Sequence, residues 1–203
     1  MGLMIHGWGD GRGFFSHPAR AGLVMVMALA ALMLLFTPFD FFATGQKEIR
    51  RQRSATFLAL VAVYAAFWFL PYADKLGVFV FNEGEAARDA GLLLVLVGTI
   101  IRLGATVQLG PLFSGFVTIQ KGHRLVDSGF YRWVRHPIYT GSLLALIGVF
   151  LVFRSQTIIV VFPCYFVGVL WRMADEEQLL LEEFGDEYRR YQQRTWRLIP
   201  LIY

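Results

Sequence analysis

Five apolar stretches separated by short polar ones constrain this chain more than any other feature. They run over Ala19 to Phe36, Ser54 to Leu70, Ala90 to Val107, Pro137 to Phe153 and Gln156 to Trp171. A bilayer core about 30 Å thick is crossed by roughly 20 apolar residues of helix. Inside lipid such a run must pair its own backbone donors and acceptors, which a helix does. Hydrophobic residues make up 56% of the 203 residues and charged residues only 17%, too apolar a balance for an ordinary soluble domain. The expectation is therefore an all-α integral membrane protein with about five transmembrane helices. A flexible, glycine-rich tail over residues 1–18 comes first, then N-terminal transmembrane helices over residues 19–107, then a second half over residues 108–203. The fourth and fifth stretches are separated only by Arg154 and Ser155 and form a helical hairpin.

The basic residues orient the chain. Thirteen of them lie in the first linker (Lys47 to Arg53), the third loop (Lys121 to Arg135) and the tail from Arg172 onward, against five on the other side. By the positive-inside rule the N-terminus is outside and the C-terminus cytoplasmic, in a multi-pass protein of a prokaryotic cytoplasmic membrane. The net charge of +4 is accounted for by apposition to lipid headgroups, so no nucleic-acid partner is expected. Gly7 to Gly13 has the glycine density of a dinucleotide loop, but neither a strand nor a βαβ pattern surrounds it. A signal peptide is not expected either, since the apolar run that follows is long and has no clear cleavage site. Cys164 lies alone in an apolar segment and reads as packing. His6, His17, His123 and His136 have no zinc-like spacing, and no metal is expected. Arg102 lies inside the third stretch, near enough its cytoplasmic end to snorkel. Gly141, Ala145 and Gly148 offer close helix approach, a pattern common within single bundles.

Two polar regions concentrate chemistry. In HRLVDSGFYRWVRHPIYTG, His123 to Gly141, Gly129 permits a tight turn and Pro137 holds His136 out of helical geometry while opening the next helix. The exposed donors of that helix start, with Arg135 and His136 beside it, suit a small ligand bearing an anionic or electron-rich group. The plain alternative is a basic interfacial loop anchored by Tyr131, Trp133 and Tyr139. In the tail, Arg172 and Glu176 stand four apart and share one face of a continuing helix. Leu180, Leu181, Phe184, Tyr188 and Tyr191 then recur near helical spacing, giving an amphipathic helix that lies on the membrane or folds over the loop. Glu182, Glu183, Asp186 and Glu187 form its solvated face.

His123-x-Leu125-Val126-x-Ser128-Gly129-x-Tyr131, Arg135-His136-Pro137-x-Tyr139-x-Gly141, Arg172-x-x-x-Glu176-Glu177 and Phe184-Gly185-x-x-Tyr188-x-x-Tyr191 together resemble the isoprenylcysteine carboxyl methyltransferase family. The resemblance covers roughly Leu112 to the C-terminus, which makes residues 108–203 the catalytic half: cofactor loop, hairpin and C-terminal amphipathic helix. It implies an integral membrane enzyme using S-adenosyl-L-methionine, with the cofactor site on the cytoplasmic side between the loop before the fourth helix and the C-terminal helix. It also implies that His123, Arg124, Leu125 and Val126 line the cofactor pocket. Tyr131 and the turn of His136, Pro137, Ile138 and Tyr139 hold the adenosyl part, Glu176 binds the cofactor, and Arg172 engages the acceptor carboxylate. A glutamine of the family's pattern is met here only by Gln120 at a different spacing, and Gln120 carries little weight.

The residue set suits the implied chemistry. Methyl transfer from a sulfonium to an ionised carboxylate is an in-line displacement, so alignment and desolvation matter more than a general base. Arg172 is able to grip a carboxylate bidentately. The acceptor expected is a lipophilic or prenylated carboxylate meeting the cofactor at the membrane surface. An alternative is N-methylation of a phosphatidylethanolamine-type lipid, for which Arg172 would be repulsive. A further alternative is a non-catalytic transporter or scaffold, in which the whole matching polar set would be idle.

Overall fold

An apolar run that pairs its own backbone stays helical until proline, glycine or a polar turn stops it. The computed structural model describes residues 2–35, 47–48, 65–81, 85–114, 118–119 and 124–202. In chain order the helices are α1 (Gly2–Trp8), α2 (Gly11–Phe15), α3 (Pro18–Leu35), α4 (helical over residues 65–76), α5 (Glu85–Leu109), α6 (Pro137–Val152), α7 (Ile158–Phe184) and α8 (Asp186–Arg194). Short 3-10 turns cover Gly110–Leu112 and Gly129–Arg132, and β1 (Lys47–Glu48) pairs antiparallel with β2 (Thr118–Ile119). Among the described residues, the all-helical class expected from the sequence holds for the regular elements apart from that two-residue pairing. Among the described residues, Glu85–Leu112 and Ile158–Phe184 are long and apolar enough to cross a membrane, while Pro18–Leu34 and Pro137–Val152 are apolar but shorter.

Most of the second expected stretch, residues 54–64, lies outside the described residues. Its expected end at Leu70 is not observed, because α4 continues through Pro71 to residue 76. A helical proline removes one hydrogen bond, and the burial of Leu70, Pro71 and Ala73 holds the helix through it. The tail expected over residues 1–18 is likewise two short helices whose Met4 and Phe14 are fully buried in the core beside Leu23, Leu70, Phe150 and Phe153. Asp10 caps α2, accepting from the backbone N–H groups of Arg12 (3.1 Å) and Gly13 (2.8 Å).

The centre of the fold is the antiparallel pair α5 and α6. A Cβ added to Gly98 would lie 2.5 Å from the Gly141 carbonyl oxygen, and one added to Gly91 would lie 2.7 Å from that of Gly148. The two backbones therefore touch, as small residues allow between apolar helices. α7 returns beside α6 with Ile159, Val160 and Trp171 about two-thirds exposed, at 70%, 67% and 68%. A helix so apolar and so uncovered is a lipid-facing one, and the chain is an integral membrane protein.

One end of this pair is closed by an ionic cluster. The Asp74 side chain, fully buried on α4, accepts from Arg88 of α5 at 2.9 Å through each of two nitrogens. It also accepts from Arg154 at 2.9 and 3.1 Å and from Arg20 of α3 at 3.4 Å. Arg88 reaches the Val152 carbonyl (2.6 Å), and Arg20 stacks its guanidinium 4.1 Å over the Trp8 ring. Asp74 thereby ties α3, α4, α5 and the α6–α7 turn together and anchors α1.

Removing one partner of a buried ion cluster leaves the others uncompensated, at a cost of about 3–5 kcal/mol. Asp74→Asn is expected to lower the unfolding midpoint in mild detergent by that order of stability, and an unchanged midpoint would contradict the role given to Asp74. Gly98→Leu is expected to part α5 from α6, seen as a lowered thermal midpoint with over-packing costs of about 1–3 kcal/mol.

Candidate active site

The site lies at the other end of α5 and α6, where α6 begins and α7 ends. Gly129 has φ +54°, which a glycine adopts without strain, and it opens the 3-10 turn that carries Tyr131. Pro137 is the first residue of α6, and His136 precedes it in non-helical geometry (φ −123°, ψ 57°) as the sequence predicts. Residues 133–136 are clamped by the C-terminal segment along a short parallel bridge, Val134 opposite Trp196. The N–H of Arg135 donates to the Trp196 carbonyl (2.7 Å), that of His136 to Arg197 (3.2 Å), and that of Trp196 to Trp133 (3.0 Å). Thr140 Oγ1 adds a bond to the Leu198 carbonyl at 2.8 Å.

Two adjacent carboxylates on α7 face different partners, since consecutive helical residues point about 100° apart. Glu177 turns inward. Its Oε1 accepts from Arg135 Nε (3.1 Å), His136 Nε2 (3.0 Å) and Arg197 Nε (3.2 Å), and its Oε2 lies 3.2 Å from Arg197 Nη2. Because a carboxylate only accepts, His136 carries a proton on Nε2. Arg135 also donates to the carbonyls of Gln192 (3.0 Å) and Thr195 (2.5 Å).

Glu176 turns toward α6, with its side chain 37% exposed. Its Oε2 accepts from the Tyr139 hydroxyl at 3.0 Å, and that hydroxyl accepts from Arg172 Nε at 2.7 Å. His136 Nδ1 stands 4.0 Å from the same Glu176 oxygen, and the His136 and Tyr139 rings are 5.7 Å apart. Arg172 and Glu176 therefore share a face as their four-residue spacing predicts, and Tyr139 bridges them.

α8 folds over the loop. Gly185, at φ +52°, ends α7, so the apolar stripe read as one helix is two, with the break at the left-handed residue. Tyr188 and Tyr191 are buried, and Tyr191 donates to the Tyr131 carbonyl at 2.7 Å. Glu182, Glu183, Asp186 and Glu187 are exposed. Burial raises the Tyr131 hydroxyl pKa well above the ordinary phenol value, with the charges of Glu176 and neighbouring tyrosines adding to it. The Tyr191 pKa is raised by burial in the same way, against the opposing charge of Arg135. Both hydroxyls stay protonated donors at neutral pH.

Of the site residues read from the sequence, Tyr131, His136, Pro137, Ile138, Tyr139, Arg172 and Glu176 come together here. Arg124, Leu125 and Val126 lie in a segment without regular secondary structure, tethered to α8 by contact of Asp127 with Arg194. His123 and Gln120 fall outside the described residues. Arg102 donates to Ser142 Oγ on α6 (3.1 Å), which gives it a packing partner. Glu177 and Arg197 are absent from the sequence-derived site. The doubled glutamate was the available signal for Glu177; Arg197 had none.

Glu177→Gln removes the carboxylate charge shared by Arg135, His136 and Arg197, and a loss of roughly 3 kcal/mol is expected. Amide hydrogen exchange should quicken at residues 133–136 and 196–197, and unaltered protection there would show that Glu177 does not hold the loop.

The profile of the isoprenylcysteine carboxyl methyltransferase family matches residues 91–182. A probable protein-S-isoprenylcysteine O-methyltransferase of Oryza sativa subsp. indica is 29% identical over 184 residues, covering 85% of this chain and 94% of its own. The protein-S-isoprenylcysteine O-methyltransferase of Schizosaccharomyces pombe is 33% identical over 122 residues, 57% of this chain and 50% of its own. A solved structure of a eukaryotic intramembrane Ras methyltransferase, an isoprenylcysteine carboxyl methyltransferase, superposes with TM-score 0.52 at 25% identity, covering 77% of this chain and 55% of that one. The matched region runs through α5, α6 and most of α7, the helices that build the site, and over that region the chain is similar to the isoprenylcysteine carboxyl methyltransferase family.

Proposed function

We propose that this chain is a membrane methyltransferase that esterifies the carboxylate of a lipophilic acceptor, a C-terminal prenylcysteine being the acceptor its relatives' names point to, with S-adenosyl-L-methionine as donor. The observation that carries the proposal is the Arg172–Tyr139–Glu176 chain, which holds a cation and a carboxylate on either side of one tyrosyl hydroxyl. The donor is a sulfonium with a zwitterionic amino-acid end and an adenosyl group. A partly exposed carboxylate, Glu176, beside the protonated hydroxyls of Tyr131 and Tyr139 fits that chemistry. The turn from His136 to Tyr139, Tyr131 and Glu176 would hold it, with His123, Arg124, Leu125 and Val126 completing the pocket.

When bound, the donor supplies a methyl group that passes to a carboxylate oxygen as the sulfur–carbon bond breaks, and no proton is transferred. The residues of the chain therefore align rather than titrate. Arg172 grips the acceptor carboxylate, its guanidinium plane fixed by the bond from Nε to Tyr139. Tyr139 keeps Glu176 and Arg172 apart, so that the internal ion pair does not displace the acceptor. α8 covers the loop and excludes water from the reacting atoms. An ammonium acceptor would meet the like charge of Arg172, which disfavours amine methylation.

The wider arrangement follows. Five crossings place the N-terminus outside and the site, with the loop, the end of α7 and α8, on the cytoplasmic side. The lipophilic acceptor then reaches it from the bilayer while the donor arrives from water.

With labelled donor, and with farnesylated cysteine and phosphatidylethanolamine offered side by side, label is expected in a base-labile ester; label in the amine lipid would overturn the proposal. Arg172→Ala is expected to lower carboxyl methylation about a hundredfold, equal to ~2.7 kcal/mol. Arg172→Lys, which keeps the charge but loses the fork, should recover only part of it.

A further inference from the structure

A buried hydroxyl without a partner costs about 1–3 kcal/mol, so each one calls for a reason. Among the described residues only two buried side-chain polar atoms lack a hydrogen-bond partner: Arg88 Nε and Tyr188 Oη. Arg88 belongs to the Asp74 cluster, where its other nitrogens are engaged. Tyr188 has no such account. It is 1% exposed on α8, its ring packs 5.8 Å from that of Tyr191, and phenylalanine would fill the same space without stranding a hydroxyl. Tyr191 shows the contrast, since its hydroxyl donates to the Tyr131 carbonyl at 2.7 Å.

The position of Tyr188 ties it to the site. Its ring neighbour Tyr191 bonds the carbonyl of Tyr131, a residue of the proposed donor pocket, and the charged groups that act on the Tyr188 hydroxyl are Glu177 and Glu176 of α7 and Arg135 of the loop, of which Glu176 belongs to that pocket. Burial first, and then these carboxylates, raise its pKa, so it stays protonated and has a hydrogen bond to give. Neither carboxylate takes that bond: Glu176 is held by Tyr139, and Glu177 by Arg135, His136 and Arg197.

We propose that the Tyr188 hydroxyl is a ligand contact of the donor site, giving its hydrogen bond to an acceptor atom of the bound S-adenosyl compound. The inference rests on the proposed function. Binding makes the missing bond, so the strain of the stranded hydroxyl in the free protein becomes affinity in the complex. α8 then contributes to donor binding as well as covering the loop.

The test is calorimetric titration of full-length wild type and Tyr188→Phe in the same detergent with S-adenosylhomocysteine, alongside the thermal midpoints of the ligand-free proteins. Tyr188→Phe is expected to bind about tenfold more weakly, equal to ~1.4 kcal/mol, with a ligand-free midpoint equal to or above that of wild type. Equal affinity would overturn the inference and assign the hydroxyl to an internal water, with the proposed function intact. Failure of wild type itself to bind would remove the donor reading and this inference together. A second readout uses tyrosine near-ultraviolet absorption in wild type: adding ligand should shift it in wild type, and a spectrum that does not change on binding counts against the contact whether or not the variant folds.

Discussion

Glu177 is the point on which the site depends. Its carboxylate holds two loop side chains, Arg135 and His136, and Arg197 from the C-terminal segment, while the helix that carries it also presents Arg172 and Glu176. Three parts of the chain with no local reason to meet are joined at one group. A buried ion cluster is weak evidence of added stability, because desolvation offsets much of the attraction. What it gives is position: with His136 fixed, Pro137 starts α6 at one place, and Tyr139 two residues later falls between Arg172 and Glu176.

A second carboxylate does the corresponding work at the opposite end. Asp74 takes Arg20, Arg88 and Arg154, and the last of these sits at φ +51° in the turn between α6 and α7. A left-handed conformation costs a non-glycine residue about 1–2 kcal/mol, which two short bonds to Asp74 and the neighbouring backbone bonds offset. Between the two clusters the glycine contacts of α5 and α6 set helix distance without any polar group. Charge fixes both ends of the hairpin and close packing fixes its middle, so the apolar faces of α7 are left to lipid.

What was legible in the sequence was what is local. The first, third, fourth and fifth apolar stretches, the start of α6 at Pro137 and the shared face of Arg172 and Glu176 follow from hydropathy, proline geometry and a four-residue spacing, and the described residues have each of them as helix or contact. The partners of Asp74 lie 14, 54 and 80 residues away, and those of Glu177 20, 41 and 42 residues away. No periodicity carries such information, which is why nothing in the sequence singles out Asp74 and Glu177 reads as half of a doublet. The helical N-terminus was missed for a related reason. Met4 and Phe14 are single apolar residues in a glycine-rich stretch, and only the cleft they fill makes them core. The break at Gly185 was hidden because the aromatic spacing continues across it.

The placement of Tyr139 between a cation and a carboxylate orders the charges of the site. Were Arg172 and Glu176 in direct contact, each would satisfy the other, and an incoming carboxylate would have to displace Glu176. With the tyrosyl oxygen between them, Arg172 Nε and a Glu176 oxygen are both satisfied while the two charges remain separate. On the proposed function, the cation side would serve an anionic acceptor and the anion side a cationic donor, on two sides of one hydroxyl. Attraction at each side brings opposite reactants toward the same point. This ordering of charge is the contribution an in-line displacement between two charged species asks of a protein.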